Sequence, residues 1–328
     1  MTSVEICAGA GGQALGLERA GFEHLALVEI DADACRTLQY NRPDWNVIEG
    51  DVKGFRAHRY EGIDLFAGGV PCPPFSMAGK QLGVDDERDL FPEALRLVSE
   101  CQPRAVMLEN VKGLLDPKFK SYREHISLRL KEMGYESEWK LHYAADFGVS
   151  QLRPRVILVA MRPADFAHFR WPDKLSQQPP SVGELLFDLM ESRGWKSATD
   201  WKLGAKTIAP TLVGGSKKHG GPDLGPTRAR KAWLELGVNG SSLAETAPDA
   251  DFEGNPRLTV RMAARVQGFP DEWKFTGGKT TAYRQVGNAF PPPVAAAVAQ
   301  SIREALEHAD DQRIDHRPSQ KKLSLIPV

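Results

Sequence analysis

Cys72 stands in the segment GGVPCPPFSMAG, between Pro71 and the pair Pro73 and Pro74. Prolines at these positions exclude a helix interior and a regular strand ladder, so we expect a loop at the end of a strand. A cysteine taken alone is most often an inert small hydrophobic residue. A cysteine nevertheless becomes a strong nucleophile when a neighbouring group helps it to lose the thiol proton. The surroundings of Cys72 therefore indicate a covalent nucleophile, provided that such a group lies near.

Glu109 offers that group in MLENVKG, directly after the apolar run Ala105–Leu108. If the strands are parallel, its carboxylate lies at the same sheet edge as Cys72; the alternative is a helix-capping or surface acid. Farther along, QLRPR places Arg153 and Arg155 at alternate positions, on one face of an extended chain. Two guanidinium groups there can bind an anion or steady a carboxylate, although such arginines alone are usually solvated.

A glycine-rich turn, in ICAGAGGQALG, follows the first apolar run. Gly9, Gly11 and Gly12 allow a ligand to approach the backbone, and the amides that open the next helix favour anionic groups. Glu29 ends the second strand, where a carboxylate can accept hydrogen bonds from ribose hydroxyls. Asp51, in EGDV, can accept from an adenine amino group. The turn alone fits a nicotinamide, a flavin or S-adenosylmethionine, and a tight turn without any ligand stays an open alternative.

Short apolar runs alternate with helical patterns through the first half of the chain. The predicted strands are Ser3–Ala8, Leu25–Glu29, Ile63–Ala67, Ala105–Glu109 and Arg155–Ala160, and the predicted helices are Gln13–Ala20, Asp33–Tyr40 and Tyr122–Met133. This order predicts an α/β fold with a doubly wound, mostly parallel, Rossmann-like sheet.

The composition of the chain changes after this alternation of strands and helices. We expect residues 1–165 to form the first domain. Residues 166–281 collect glycine, proline and lysine, as in VGGSKKHGGPDLGPTRARK, which predicts a second, smaller, loop-rich domain. An alanine-rich helical pattern predicts that residues 282–308 return to the first domain. Residues 309–328 are charged and contain proline, which predicts a solvated tail.

The 328 residues are 41% hydrophobic, enough for one large domain or for a large and a small one. The four cysteines have no close paired spacing and no histidine cluster nearby, so we expect neither disulfides nor a metal site. The sequence has no basic leader and no long apolar run, which predicts a cytoplasmic protein without a membrane partner. The formal net charge is −1, so a nucleic-acid partner would need a local basic surface.

Eight sequence blocks occur in one order: ICAGAGG, VEID, EGDV, PCPPFS, ENV, QLRPR, RLTVRMAARVQGFPDEW and YRQVGNAFPPPVA. In that order they resemble the C5-cytosine DNA methyltransferase family, over Val4–Arg155 and Arg257–Ala295. The resemblance implies a sequence-specific enzyme of the bacterial type that methylates carbon 5 of cytosine in duplex DNA. It also implies that the fold is that of an S-adenosylmethionine-dependent methyltransferase.

By this resemblance Cys72 adds to ring carbon 6 of a flipped cytosine, and Glu109 hydrogen-bonds or protonates ring nitrogen 3. Arg153 and Arg155 support the active site. Thiolate addition makes carbon 5 an enamine-like nucleophile that accepts the methyl group of S-adenosylmethionine, which leaves as S-adenosylhomocysteine. Loss of the carbon 5 proton then releases the enzyme.

The resemblance also implies a set of cofactor-binding residues. They are Cys7, Ala8, Gly9, Gly11, Gly12, Glu29, Ile30, Asp51, Val52, Pro71, Asn288 and Ala289. Two residues depart from the family pattern. Cys7 stands where an aromatic is common, so adenine stacking is weakened or replaced by sulfur packing. Pro73 stands where a glutamine often follows the nucleophile.

Contacts to DNA are expected in two segments. Ser76, Lys80 and Arg88 lie in the segment after the nucleophile that should move when the base is extruded. Trp171–Arg257 takes the place of the family's target-recognition domain. In its basic stretch Lys217 and Lys218 are expected to neutralise phosphates, and Arg228 and Arg230 are candidates for reading guanine edges.

The expected partner is double-stranded DNA, bound by a monomer in the bacterial cytoplasm at the nucleoid. A restriction endonuclease acting on the same site is an open alternative, because the family includes restriction-modification and orphan enzymes. Two other readings remain: methylation of cytosine in transfer RNA, and a catalytically silent DNA-binding protein. The basic middle segment argues against the first, and the presence of Cys72 and Glu109 argues against the second. A nicotinamide oxidoreductase would leave the blocks PCPPFS, ENV and QLRPR unexplained.

Overall fold

The computed structural model describes residues 1–71, 89–215, 221 and 223–315. Within these ranges seven strands form one sheet in the order β3-β2-β1-β4-β5-β7-β6. They are β1 (Thr2–Ile6), β2 (Glu23–Glu29), β3 (Val47–Glu49), β4 (Leu65–Gly69), β5 (Ala105–Val111), β6 (Glu136–Tyr143) and β7 (Pro154–Met161). Strands β1 to β5 are parallel, β7 runs antiparallel to β5, and β6 runs antiparallel to β7. The predicted α/β fold with a mostly parallel sheet is confirmed.

Helices cover both faces of the sheet. They are α1 (Gly12–Arg19), α2 (Ala32–Asn41), α3 (Phe91–Cys101), α4 (Lys120–Glu132), α5 (Pro163–Phe166), α6 (Val182–Glu191), α7 (Ala198–Gly204), α8 (Thr227–Glu235), α9 (Val260–Val266), α10 (Lys279–Asn288) and α11 (Pro292–Asp315). None of the helices within the described ranges combines the length and the apolar composition that crossing a membrane requires.

Strands β1, β4 and β5 are buried on both faces, as expected for parallel strands between two helical layers. Alternate residues of β4 enter different cores. Phe66 joins a core that includes Leu97 of α3, whereas Leu65 joins a core that includes Leu17 of α1 and Val298 of α11. This two-sided packing fixes the carboxyl ends of the parallel strands at one edge.

The described part of residues 166–281 contains helices α6 to α9 and no strand beyond a single bridge between Gln151 and Ala209. Apart from Phe169, its buried hydrophobic residues belong to the same hydrophobic cluster as Leu15 of α1 and Leu38 of α2. Trp233 of α8 is fully buried in that cluster. The division of the chain at residues 165 and 281 stays a prediction.

Helix α11 extends beyond the end expected at residue 308. Ala309 is buried, and Asp310 Oδ2 accepts a hydrogen bond of 2.8 Å from Arg104 Nη1. Residues 309–315 are therefore part of a helix, on which residues 311–313 are exposed, and not an unfolded tail. The burial of Ala309 and the pairing of Asp310 with Arg104 stabilise this extension of the helix. Neither contact could be predicted from the composition of the segment.

Candidate active site

The carboxyl ends of β1, β2 and β4 border a cavity of about 330 Å³. Its wall contains eleven of the twelve predicted cofactor residues, namely Cys7, Ala8, Gly9, Gly12, Glu29, Ile30, Asp51, Val52, Pro71, Asn288 and Ala289. Glu109 lines the same cavity. The structure thus brings together residues from both halves of the chain, with α10 supplying Asn288 beside the turn that follows β1.

The turn between β1 and α1 has an unusual backbone. Cys7, Gly9 and Gly11 all have positive φ values, of 52°, 54° and 86°. A side chain at Gly12 would clash with the carbonyl oxygen of Phe290, so glycine permits a close backbone approach there. Gly11 does not line the cavity: a side chain there would meet Leu38 and Trp273 within 2.8 Å. Glycine at this position serves the turn and its packing.

Glu29 is held by three backbone amides. Its Oε2 accepts from the Gly9 amide at 2.7 Å, and its Oε1 accepts from Ile30 and Asp31 at 2.9 and 2.8 Å. Each carboxylate oxygen has two acceptor sites, so Oε2 keeps one of its two for a ligand hydroxyl. Ile30 is 67% exposed at the cavity wall, which leaves an apolar surface for a ring. Asp51 caps the turn after β3 by accepting from Lys53 N at 2.9 Å.

Glu109 lies in β5 at the cavity, and its Oε1 is 2.6 Å from Nε of Arg155. Burial raises the pKa of the Glu109 carboxyl, and the charges of Arg155 and Arg153 oppose that rise without cancelling it. The carboxyl is therefore suited to hold a proton that it can donate. Pro71, the residue before Cys72 in the chain, lines the same cavity.

Arg153 has a different environment from Arg155. Its side chain is fully buried, and it donates to the carbonyls of Leu212 (2.8 Å), Gly287 (2.8 Å) and Ala289 (2.9 Å). Of the two arginines expected to support the active site, Arg155 pairs with Glu109, whereas Arg153 hydrogen-bonds to these carbonyls and acts on Glu109 through its charge. Arg153 thus connects Leu212, just before the basic segment 213–231, to Gly287 and Ala289 at the cavity wall.

Two of the predicted DNA-contacting residues are described, and both lie on α8. Arg228 is exposed, whereas Arg230 is half-buried and packs against Gly240. The remaining predicted contacts, Ser76, Lys80, Arg88, Lys217 and Lys218, lie outside the described residues, as does Cys72.

The chain that leads to this basic stretch starts at the cavity. Asn288 Nδ2 donates to the carbonyl of Gly215 at 3.1 Å, and Gly214 packs so tightly on Gly287 that neither position has room for a side chain. A predicted cofactor residue and the start of the basic stretch are thus in direct contact.

The residues that line the cavity but were not among the predicted site residues include Glu5, Gln13, Arg284 and Phe290. For Glu5 the available signal was an acid inside the otherwise apolar run SVEICA. A second cavity, of about 370 Å³, lies between α9, α10 and residues 244–247. It contains no predicted site residue, and two of its charged groups, Glu245 and Lys279, pair with each other at 2.8 Å.

Comparison with known proteins gives one consistent result. A family model described as C-5 cytosine-specific DNA methylase matches residues 1–304. The chain is 60% identical over 309 residues to the Type II methyltransferase M.NgoMIV of Neisseria gonorrhoeae, covering 93% of this chain and 98% of that protein. It is 53% identical over 331 residues to the Type II methyltransferase M.NaeI of Lentzea aerocolonigenes, covering 98% and 80%.

Solved structures agree on the fold. A putative DNA modification methyltransferase encoded within an Escherichia coli prophage aligns with a TM-score of 0.66 at 23% identity, over 94% of this chain and 99% of that one. A DNMT2 mutant from Spodoptera frugiperda aligns with a TM-score of 0.65 at 16% identity, over 92% and 99%. At these identities the likeness concerns the fold alone.

Proposed function

This chain belongs to the family of C-5 cytosine-specific DNA methylases, and we propose that Cys72 and Glu109 act together on one cytosine at the edge of its cavity. It is a sequence-specific DNA (cytosine-5-)-methyltransferase. The observation that carries the proposal is the position of Glu109, which is buried and paired with Arg155 in the cavity that Glu29 and Pro71 also line.

The cavity residues fit S-adenosylmethionine, the methyl donor that methyltransferases of this kind generally use. Glu29 and Asp51 offer acceptors for ribose hydroxyls and the adenine amino group, and Ile30 and Val52 offer apolar contact to the ring. Two buried polar side chains in the wall, Glu5 and Gln13, have no partner within the described protein. When bound, the cofactor supplies a methyl group on a positively charged sulfur, and S-adenosylhomocysteine is the product.

The chemistry on the base follows from the groups around it. The Cys72 thiolate forms a bond to ring carbon 6 while the Glu109 carboxyl donates its proton to ring nitrogen 3. Carbon 5 gains the electron pair of the former double bond and can accept the methyl group. A base then removes the carbon 5 proton, the bond from sulfur to carbon 6 breaks, and the nitrogen 3 proton returns to Glu109.

Arg155 and Arg153 have separate tasks in this scheme. Arg155 orients the Glu109 carboxyl through its Nε, at 2.6 Å, and limits the rise of its pKa. Arg153 holds the backbone at Gly287 and Ala289, next to Asn288 in the cavity wall. We assign Arg155 to the catalytic group and Arg153 to positioning the wall.

The target base has to leave the duplex, because its ring carbons are inaccessible within the stack. We assign phosphate contacts to Ser76, Lys80, Arg88, Lys217 and Lys218, in line with their place in the sequence. Of the two arginines on α8, the exposed one, Arg228, is the better candidate for reading a base edge. Arg230 packs its stem on Gly240 and serves to position the helix.

The two relatives described above are named Type II methyltransferases, a term for restriction-modification enzymes. We propose that a restriction endonuclease acts on the same site in the source organism. We further propose that the chain works as a monomer on double-stranded DNA in the bacterial cytoplasm. The transfer-RNA reading has less support, because the matching family and these relatives are DNA methylases.

A covalent trap tests the assignment of Cys72. Duplex DNA that carries 5-fluorocytosine in place of cytosine cannot lose a proton from carbon 5, so the sulfur adduct should persist after methyl transfer. We expect a denaturation-resistant complex with the wild-type chain and none with Cys72→Ser. Cys101→Ser is the matched control, because Cys101 is buried in α3 away from the cavity and its variant should still be trapped. Trapping of Cys72→Ser would move the nucleophile to another residue.

A further inference from the structure

A second basic segment lies outside the middle stretch. It consists of residues 111–123, which join the end of β5 to the first turn of α4, and is called the β5–α4 segment below. Its charged side chains are four cations and one acid, namely Lys112, Lys118, Lys120, Arg123 and Asp116. None of them is among the predicted DNA contacts. In a chain with a net charge of −1, this concentration of cations forms a local basic surface.

The lysines of the β5–α4 segment are available to an external anion. Lys112 and Lys118 are exposed, and neither forms an ion pair with the residues that the structure describes. The Nζ of Lys118 lies 4.9 Å from the centroid of the Phe119 ring. Lys120 lies 3.6 Å from Glu124, but both side chains are more than half exposed, and such pairs contribute little to stability.

Hydrogen bonds fix the backbone that carries these lysines. Arg123 Nη1 donates to the carbonyls of Leu114 and Asp116, and Leu114 itself is fully buried. A backbone fixed in this way holds the lysine stems at defined positions. Less order then has to be created when an anion binds, which favours binding.

The segment starts beside the candidate active site. Val111 ends β5 two residues after Glu109 and stands opposite Arg155 on β7. At about 3.3 Å per strand residue, the backbone of Lys112 lies about 10 Å from that of Glu109, or about three base-pair steps along a duplex. A duplex that delivers a cytosine to Glu109 therefore brings phosphates within reach of Lys112.

Both ends of the segment are tied to the chain around the proposed nucleophile. Asn110 Nδ2 donates to the carbonyl of Val70 at 2.8 Å, and the hydroxyl of Tyr122 donates to Asp89 Oδ2 at 2.6 Å. Val70 and Asp89 stand on either side of residues 72–88 in the sequence, and Cys72 is the first residue of that range. The basic segment is thus attached to the part of the chain that would meet the target base.

The two basic segments pack in different cores. Leu114 and Phe119 of the β5–α4 segment belong to the core that contains Phe66 of β4. Leu212, just before residues 213–231, belongs to the cluster that contains Leu27 of β2.

Strand register places these two cores on opposite faces of the sheet. Leu27 is aligned with Glu5 of β1, and Glu5 is aligned with Ala67 of β4, so their side chains share one face. Phe66 precedes Ala67 in the same strand and therefore points to the other face. A ligand at the carboxyl edge of the sheet would have one basic segment on each side.

We propose that the β5–α4 segment is a second phosphate-binding surface for duplex DNA, with Lys112, Lys118 and Lys120 as its contacts. It holds the backbone on one side of the target cytosine, while residues 213–231 hold it on the other. A duplex presents two rows of phosphates and can meet cations from both faces of the sheet at once, which a small anion cannot. The inference rests on the proposed function, since it takes duplex DNA to lie at this edge.

Contacts of lysine to phosphate add affinity without reading the sequence. We expect the double variant Lys112→Gln, Lys118→Gln to bind a duplex of about 30 base pairs about three- to thirtyfold more weakly, as for two lost exposed ion pairs. The loss should be the same for a duplex that contains the methylated site and for one that does not. KM for DNA should rise, whereas kcat at saturating DNA and the methylated sequence should not change.

The salt dependence of duplex binding identifies the lost contacts as phosphates. Each phosphate contact contributes about 0.9 to the slope of log affinity against log salt concentration. Between about 50 and 200 mM salt, the slope of the double variant should therefore be smaller by about 2. Fluorescence anisotropy with a labelled duplex measures both the affinity and the slope.

Arg129→Gln, Lys131→Gln is the matched control, because it removes two exposed cations from the same helix. This end of α4 leads into β6, which starts at Glu136. Glu136 is aligned through Met161 with Ala105 at the start of β5, so the control lies at the opposite edge of the sheet. It should bind the duplex with the affinity and salt slope of the wild type. Both double variants should keep the wild-type Tm and S-adenosylhomocysteine affinity.

Several outcomes would overturn the proposal. Equal affinities and salt slopes in the two double variants would mean that general charge, and not this surface, affects the duplex. A lower Tm or weaker S-adenosylhomocysteine binding in Lys112→Gln, Lys118→Gln would make the lysines structural, and a changed methylation site would make them base readers. Weaker binding of transfer RNA alone would assign the surface to RNA. Failure of the wild-type chain to methylate any duplex would instead overturn the proposed function.

Discussion

At the scale of single residues, burial and neighbouring charges together set the pKa of the Glu109 carboxyl. Its carboxyl is buried in β5, which raises its pKa, while Arg155 at 2.6 Å stabilises the ionised form. The balance leaves a carboxyl that can donate a proton and accept it back. A carboxyl on the surface, or one with a stronger cationic environment, would stay ionised and could not donate to the base.

Replacing Glu109 by Gln removes the proton but keeps a side chain of the same size. We expect kcat to fall by about 10²- to 10⁴-fold, the range for loss of a general acid. Because the wild-type group must be protonated, wild-type activity should decline as pH rises through the raised pKa, and the variant should lack that decline. The measurements are kcat against pH and the Kd for S-adenosylhomocysteine, which should stay unchanged. Wild-type kcat in the variant would remove Glu109 from the chemistry.

Arg155→Met tests the opposing charge. The Arg155 guanidinium lowers the pKa of Glu109, so its removal should raise that pKa further. The alkaline decline in kcat should therefore move to higher pH, with kcat at its maximum reduced by about tenfold or more as the carboxyl loses its orientation. An unchanged pH profile would show that the pair does not control the protonation of Glu109.

At the scale of elements, Arg153 holds three segments together through buried carbonyls. Arg153→Met leaves the carbonyls of Leu212, Gly287 and Ala289 without a donor, at a cost of about 3 kcal/mol or more. We expect a lower Tm and weaker S-adenosylhomocysteine binding. Arg170→Met is the control, since Arg170 also donates only to carbonyls but is exposed, and its Tm should hardly change. Equal Tm values for both variants would contradict this role of Arg153.

The contact between α1 and α11 depends on Gly16. A side chain there would clash with Ala295 and lie 2.8 Å from the carbonyl oxygen of Pro292. Gly16→Ala should therefore destabilise the fold by about 1–3 kcal/mol, as overpacking does, and thermal unfolding measures it. Gly204→Ala, in α7 with open space around it, should keep or raise the Tm. A Gly16→Ala protein as stable as the wild type would mean that the helices separate at little cost.

Much of this architecture could be predicted, because the features concerned are local in sequence. Continuous apolar runs gave the parallel strands, and the glycines after β1 gave the turn. The antiparallel direction of β7 and the edge strand β6 were not predicted, since apolar patterns carry no information on pairing direction. β6 also exposes every second residue, as an edge strand does, so its pattern is weaker.

The positions of some candidate site residues could be predicted from the sequence, and those of others could not. Glu109 and Glu29 follow apolar runs, and their place at the strand ends could be inferred. The carbonyl partners of Arg153 could not be predicted, because Leu212, Gly287 and Ala289 are distant from it in the sequence. Glycine spacing also did not separate Gly11, which packs on Trp273, from Gly12, which borders the cavity. Such distinctions depend on contacts between distant segments.

At the scale of the whole molecule, a net charge of −1 gives no general attraction to DNA. Binding must depend on the local basic stretch, which starts where Gly214 and Gly215 contact α10 at the cavity wall. This arrangement places the start of the basic stretch beside Asn288, a residue that lines the cavity. We therefore expect recognition and chemistry to be parts of one reaction on double-stranded DNA.

The most direct test of that account is transfer of labelled methyl groups from S-adenosylmethionine to duplex DNA and, separately, to transfer RNA, followed by bisulfite sequencing of the DNA. We expect label in the DNA, with protected cytosines in one short recurring sequence context, and none in the RNA. Label in the RNA alone, or in neither nucleic acid, would contradict it.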